Sequence, residues 1–415
     1  MKILSLNSKD TGGGAAIAAY RLHRQFLELG HDSQMLVQSQ TSGDRTVISS
    51  QSKLGRGLGA IRPTLDTIPL RLYPNRDRVP YSLQCLSSRV DATVKAIEPD
   101  IVHLHWVNGG FVSVEAVARF NCPIVWTLHD MWGFTGGCHY SQGCDRYTKS
   151  CGSCPILHSD REYDLSRWLW RRKAKSWAET NLTIATPSKW LADLARTSSL
   201  FQDLRVEVVH NGLDTQVYRP IDRQQARDWL GLPQDKKIVL FGAVSATSDK
   251  RKGFHLLIPT LQQLKQQLDP ESVELLVFGS SQPASIPDFG FKARYLGKLY
   301  DDISLALLYS AADVFVAPSV EDNLPNTVVE ALACGTPCAA FKIGGMSDMV
   351  EHEQNGYLAT PYQTEDLARG IAWLLADSDR WQKLSTAAVK QAKQKFTVEK
   401  QAANYLQIYQ EILKN

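Results

Sequence analysis

The sequence predicts an α/β protein built from two doubly wound, parallel-sheet domains. Short apolar runs of strand length alternate with helix-like segments from Lys2 to Gly212. The alternation restarts at Lys237, after an irregular joint at Tyr218-Arg219-Pro220. At 415 residues with 43% apolar content, and with ~150 residues expected per domain, the chain has room for two or three domains with substantial cores. The expected boundary follows Val208, which gives domains over 1–208 and 209–395.

In order, Lys2–Asn7 reads as a buried strand entering Thr11-Gly12-Gly13-Gly14 and a helix from Ala15 to Leu29, closed by Gly30. Glycines between a strand and a helix let a phosphate or sugar approach the backbone, although a tight βα turn explains them too. The second strand is placed at Met35–Val37. Residues 53–81 interleave Lys53, Arg56, Arg62, Arg71, Arg76 and Arg78 with apolar residues, against Asp66 and Asp77 alone. Such a stretch suits an anionic membrane surface, an opening for an acidic or lipid-linked substrate, or a solvated basic excursion.

Strands are expected at Ile101–Trp106 and Pro123–Leu128, separated by a helix from Ser113 to Phe120. Both strands end in histidine: His105 in the first, His129-Asp130 after the second. Strand carboxyl ends face the ligand crevice of such folds, so these residues are candidates for the site. Cys138-x5-Cys144-x6-Cys151-x2-Cys154 holds half of the eight cysteines. Four thiolates suit a structural zinc, with His139 and His158 as spare ligands; two disulfides and free thiols are the other readings. Leu165–Glu179 mixes Trp168, Trp170 and Trp177 with five basic residues, Lys173 among them, and reads as a surface helix with its tryptophans inward or as a membrane or oligosaccharide contact. Leu182–Pro187, a Ser188-capped helix and a strand and turn over Val206–Gly212 complete the first series.

The second series runs Lys237–Gly242, the loop Ala243–Arg251, a helix from Gly253, then strands Val273–Phe278, Ala293–Leu296, Ala312–Ala317 and Pro337–Phe341, followed by Gly344-Gly345. Lys250, Arg251 and Lys252 meet a helix N-terminus, an arrangement that attracts an anion. Pro318 ends one strand, and a helix from Val328 to Cys334 follows, with Asn323 or Asn326 available to cap it. Asp322 and Glu330 bracket that loop. Carboxylates repel phosphate, so they suit sugar or ribose hydroxyls; a capping Asp with a solvated helix Glu is the other reading. Val398–Leu413 is amphipathic and must pack on a partner. The formal charge of +3 argues against a nucleic-acid partner, no run reaches ~18 apolar residues, and the first residues form no signal segment, so a cytoplasmic location is expected.

Gly12-Gly13-Gly14, His129-Asp130, Val209-His210-Asn211-Gly212-Leu213-Asp214, Lys252-Gly253 and Pro318-Ser319 leading to Glu330-Ala331-Leu332-Ala333-Cys334-Gly335 occur in the order found in retaining GT-B glycosyltransferases of family GT4. The chain resembles that family from Met1 to its last helix. Asp322-Asn323-Leu324-Pro325-Asn326 and the cysteine loop resemble its colanic-acid-type exopolysaccharide branch. The resemblance implies the GT-B fold, with the two domains facing across a cleft and 396–415 packing back on the first. It also implies sugar transfer from a nucleotide-diphosphate sugar to a glycan, lipid-linked or small-molecule acceptor, with no metal at the diphosphate. Residue by residue it places Lys252 on the diphosphate, Glu330 on the ribose, Asn323, Leu324, Asn326 and Thr327 on sugar and phosphates, and His129 beside the reacting carbon. Gly13 and Arg251 join the donor side, and Gly12, Gly13, His105 and Asp130 the acceptor side. Asp322 stands where the family usually has Glu, with Glu321 beside it. Ala243 stands where it usually has Arg, a role Arg251 is expected to take. The expected place of work is the cytoplasm, with peripheral contact at the inner face of a membrane as a further reading. An epimerase on the same fold and a weak glycan-binding scaffold are the alternatives.

Overall fold

The computed structural model describes residues 1–49, 53–243, 247–283, 287–299 and 301–414; side chains are described for these except those of Lys53 and Leu54. Part of the expected anion loop, 244–246, and the Lys53 side chain lie outside the described residues. The chain divides into two compact units, Met1–His210 with Gln401–Asn415, and Asn211–Lys400.

The first unit is a seven-stranded parallel sheet of β1 (Lys2–Lys9), β2 (Asp32–Ser39), β3 (Val47–Ile48), β4 (Ile101–Leu104), β5 (Ile124–Thr127), β6 (Leu182–Thr186) and β7 (Val206–Val208), in the order β3-β2-β1-β4-β5-β6-β7. A parallel sheet needs both faces covered, and the alternate side chains of its strands separate accordingly. Leu4, Leu6, Val102, Leu104, Ile124 and Trp126 enter one core; Ile3, Ile101, Val125 and Ala185 enter another. That second face is closed by Leu22 and Phe26 of the helix Gly14–Glu28 and by Ala402, Tyr405, Ile408 and Tyr409 of the final helix, Val398–Lys414. The last helix therefore packs where its apolar stripe required. β2 is longer than expected and β3 was not anticipated, because its two residues carry no periodic signal.

Polar residues on this face are paired. Tyr409 Oη lies 2.6 Å from His103 Nδ1, His103 Nε2 lies 2.7 Å from Thr127 Oγ1, and Tyr405 Oη lies 2.6 Å from Thr127 Oγ1. Ser188 caps the helix Lys189–Thr197 as expected, its hydroxyl accepting from Leu191 N.

The second unit is a six-stranded parallel sheet of β8 (Lys237–Gly242), β9 (Val273–Phe278), β10 (Lys292–Gly297), β11 (Val314–Ala317), β12 (Cys338–Phe341) and β13 (Gly356–Ala359), in the order β10-β9-β8-β11-β12-β13. Val239, Phe241, Val314 and Val316 fill one face; Ile238, Leu240, Phe315 and Ala317 the other. Gly212 lies in the sequence Val209–Asp214, and a Cβ there would stand 2.5 Å from Val398 Cα. Leu213 N donates to Phe396 O and Val398 N to Leu213 O, so the chain leaving this unit is bonded to the chain entering it.

Tyr409→Ala is expected to destabilise the first unit by about 3–5 kcal/mol, through the cavity left under the sheet. Tyr409→Phe should cost about 1 kcal/mol, for the lost bond to His103. Urea unfolding measures both; equal losses would mean that the hydroxyl, not the ring, carries the contact.

Candidate active site

In the second unit the strand order reverses between β8 and β11, so the loops leaving their carboxyl ends diverge and open a crevice. A cavity there is lined by Gly242, Ala243, Lys252, Ser319, Pro325 and Thr327. Two glycines hold its walls together. At Gly253 (φ 73°) a Cβ would stand 1.8 Å from Pro318 O, and Val320 N donates to Arg251 O at 2.8 Å. At Gly344 (φ 50°) a Cβ would stand 2.0 Å from Asp322 O, which accepts from Gly345 N at 3.1 Å. Only glycine serves at either close approach.

Across this crevice Lys252 Nζ lies 2.6 Å from Asp322 Oδ2. Ser319 Oγ lies 3.4 Å from the same oxygen, and Asn323 N donates to Asp322 Oδ1. The following helix is Asn326–Ala333, two residues earlier than expected, with Pro325 at its N-cap. Pro325 occupies the N-cap position and Asn326 is already helical. The helix thus presents amide N–H groups beside the cavity that Lys252 and Thr327 line. Glu330 is buried one turn along, where it accepts from Tyr309 Oη at 3.1 Å. This corrects the reading of Glu330 as a solvated helix residue. Burial, with Glu330 beside it, pushes the Tyr309 hydroxyl's pKa well up, so it remains a donor. Leu324 packs into the core. Arg251 pairs with Asp249 at 2.6 Å, and Lys252 rather than Arg251 lines the cavity beside Ala243.

In the first unit the order reverses between β1 and β4. Gly12 (φ 82°) and Gly13 (φ 112°) border open space, and Gly13 is the N-cap of its helix. Asp10, immediately before them, is buried and accepts from Thr11 N, Thr41 N, Ser42 N and Thr41 Oγ1. Burial opposes its charge, but the bonds from Ser42 and Thr41 hold its pKa below the ordinary value. The sequence reading missed Asp10; its position just ahead of a glycine turn was the available signal.

His105 Nδ1 lies 3.1 Å from His129 Nε2, with the rings stacked at 5.4 Å. His105 is buried, and its Nε2 has no hydrogen-bond partner among the described residues. Burial lowers the pKa of His103 to about 3 and of His129 to about 4, and carries His105 well below its ordinary value. All three are neutral at physiological pH. Asp130 is engaged on both oxygens: Oδ1 accepts from Trp132 N, and Oδ2 accepts from Trp106 Nε1 and lies 2.6 Å from His139 Nδ1. It orders Trp106, His139 and the turn after β5.

Cys138, Cys144, Cys151 and Cys154 line one cavity, and all are free. Among the described residues no group of three or more His, Cys, Asp or Glu is arranged to hold a metal ion. The two histidines expected as spare ligands are engaged elsewhere, His139 with Asp130 and Ser82, His158 with Asp77. Lys173 is fully buried rather than one of a solvated row. Its amino group donates to the carbonyls of Trp132 and Thr135 and sits over the Trp132 ring, which pins the segment that follows Asp130, and burial carries its pKa well below the ordinary value. Of the three tryptophans in its helix, Leu165–Trp177, Trp177 is buried and Trp168 exposed, so only part of the inward reading holds.

The profile described as glycosyl transferases group 1 matches residues 235–377, and that described as glycosyltransferase family 4 matches 12–217. D-inositol 3-phosphate glycosyltransferase 2 of Catenulispora acidiphila is 25% identical over 93% of this chain and 88% of its own. The WcaC protein of Escherichia coli, whose name assigns it to colanic acid biosynthesis as a glycosyl transferase, is 26% identical over 82% of this chain and 83% of its own. Among solved structures, sucrose-phosphate synthase from Thermosynechococcus elongatus superposes with TM-score 0.71 at 20% identity over both whole chains. Anabaena Alr3699/HepE, crystallised with UDP and glucose, gives 0.65 at 18% identity over 98% of this chain and 99% of its own. These two likenesses establish the fold as GT-B.

The depressed pKa of His103 has a consequence for stability. Unfolded, its imidazole takes a proton near pH 6.5; folded, only near 3. Between those values the unfolded chain binds more protons, so stability falls as pH drops below 6.5, by up to ~1.4 kcal/mol per pH unit from this residue. Urea midpoints at pH 7.5, 6 and 5 should decrease, and decrease less steeply in His103→Gln. Parallel slopes in the two proteins would refute the assignment.

Proposed function

The chain belongs to the group 1, family 4 glycosyltransferases, and from that premise we propose that its second unit binds a nucleoside-diphosphate sugar whose sugar passes, with retention, to a glycan or lipid-linked acceptor in surface polysaccharide or glycolipid synthesis. One observation carries this reading: Lys252, held by Asp322, lines a cavity at the sheet's reversal point beside the N-terminus of the helix Asn326–Ala333. A diphosphate there gains a cation and amide donors together. Those groups neutralise the charge that develops as the bond from the anomeric carbon to the diphosphate oxygen breaks. The bond to the acceptor oxygen forms in its place, and the acceptor's proton passes to the departing phosphate oxygen. Asp322 keeps Lys252 aimed and lies close enough to the cavity to meet a sugar hydroxyl; Glu330, bonded to Tyr309, takes the ribose hydroxyls. His129, neutral at working pH, is suited to hydrogen-bond a sugar hydroxyl rather than to pair with phosphate. None of the reported matches supports the epimerase alternative.

UDP-glucose is the first donor to test, because the Anabaena relative in fold is described with UDP and glucose. Thermal shift against UDP-, GDP- and ADP-sugars, followed by radiolabelled transfer, examines the reading; no stabilisation by any nucleotide would sink it. Lys252→Ala is expected to lower transfer by about a hundredfold, the ~3 kcal/mol of one well-placed charge. Glu330→Gln should weaken donor binding while sparing the Tyr309 bond. Normal turnover in both variants would remove the site.

For the cysteines we propose a structural zinc, which would draw the four sulfurs together across the cavity they line. Elemental analysis should then find one zinc per chain, lost in Cys138→Ser. A metal-free protein of unchanged stability would overturn that reading. Work at the inner face of a membrane belongs to the same proposal.

A further inference from the structure

The segment Lys53–Asp66, a helix, and Ile68–Leu72, a 3-10 turn, is laid on the first unit with its polarity reversed. Its inward stripe is Gly59, Arg62, Asp66 and Leu70. Arg62 donates to the carbonyls of Gly110 and Ser87, and the buried Asp66 accepts from the backbone amides of Leu83, Gln84 and Cys85. Its outward stripe is apolar. Leu58, Ile61, Leu65, Ile68 and Leu72 recur at helical spacing and are 57%, 49%, 37%, 44% and 77% exposed. A helix recruited only to bury apolar surface would point these residues inward and leave Arg62 and Asp66 in water. Folding therefore does not account for the stripe.

The surroundings decide what covers it. Arg56 and Arg71 are exposed on the same two elements as the stripe, and the only carboxylate from Leu58 to Leu72 is the buried Asp66. An apolar ridge flanked by arginines, with no exposed acid along it, is complementary to the acyl boundary and headgroups of a bilayer rich in anionic phospholipid. Among the described residues no helix is long and apolar enough to cross a membrane, so such a contact lies at the surface.

We propose that this ridge docks the protein on anionic phospholipid membranes, with Leu58, Ile61, Leu65, Ile68 and Leu72 entering the acyl boundary and Arg56 and Arg71 meeting the headgroups. The proposal deepens the membrane-face reading given above, but its test is separate from that of sugar transfer, since soluble-donor binding is scored without vesicles.

Flotation of the full chain with phosphatidylglycerol-phosphatidylcholine vesicles and with pure phosphatidylcholine vesicles tests it. Binding is expected to the anionic vesicles, with weakening by added salt. Leu58→Gln/Ile61→Gln/Leu65→Gln should reduce binding by about tenfold or more, as should Arg56→Glu/Arg71→Glu. Because the substituted side chains face solvent, thermal unfolding and nucleotide-sugar binding should match the parent in both variants. Failure of the parent to float, equal binding to neutral vesicles, or unchanged binding by the triple variant would overturn the proposal. So would a concentration-dependent dimer that the triple variant abolishes, since a second copy would then be the occupant.

Discussion

A parallel sheet has no face that water can cover, and most of this molecule follows from that constraint. Every strand described is paired in parallel, so each connection must cross a face and lay something apolar on it. In the first unit the crossovers leave part of one face, around Ile3, Ile101 and Val125, for the end of the chain to close. Tyr405 and Tyr409 do so with both halves of their side chains: rings against the aliphatics, hydroxyls on His103 and Thr127. A buried polar pair left unsatisfied would be costly, so these bonds also select one seating of the helix. His103, bonded to that layer, packs in turn against the buried His105, whose imidazole is kept neutral by burial.

The reversal of strand order supplies the chemistry. β8 and β11 are paired neighbours, and the loops that leave their carboxyl ends diverge and line the crevice. Their spacing is set by glycine at two backbone approaches too close for any Cβ, Gly253 on Pro318 and Gly344 on Asp322. A side chain at either position would push apart the walls that carry Lys252 and Asp322, so the ion pair depends on two glycines that are not part of it. The pair is itself a compromise. Asp322 reduces the field Lys252 offers an anion, yet it fixes the ammonium where the helix N–H groups also point.

The segment Lys53–Leu72 shows the opposite logic, a surface element whose inward contacts are polar. Arg62 and Asp66 anchor it through backbone carbonyls and amides, an attachment that needs no apolar residue and so leaves the leucines and isoleucines outside. Within the first unit this ridge and the histidine site are separate features of one scaffold.

By itself the sequence determined the fold class, nearly every strand, and the loop-to-helix stretches that form the candidate site, because these are local: an apolar period of strand length, a glycine turn, a proline stop. It also determined that Val398–Leu413 must pack on something. It did not disclose that Glu330 is buried against Tyr309, that Asp130 is spent on Trp106, Trp132 and His139, or that Lys173 is an interior residue, since a charged side chain reads as solvated until its partners arrive from distant segments. Nor did it separate the readings of residues 53–81. Alternating basic and apolar residues specify an amphipathic helix, but which stripe faces inward depends on the carbonyls and amides waiting at Leu83–Cys85, Ser87 and Gly110. Periodicity marks the elements; only the tertiary structure could assign their faces, because burial is a property of the neighbours and not of the residue.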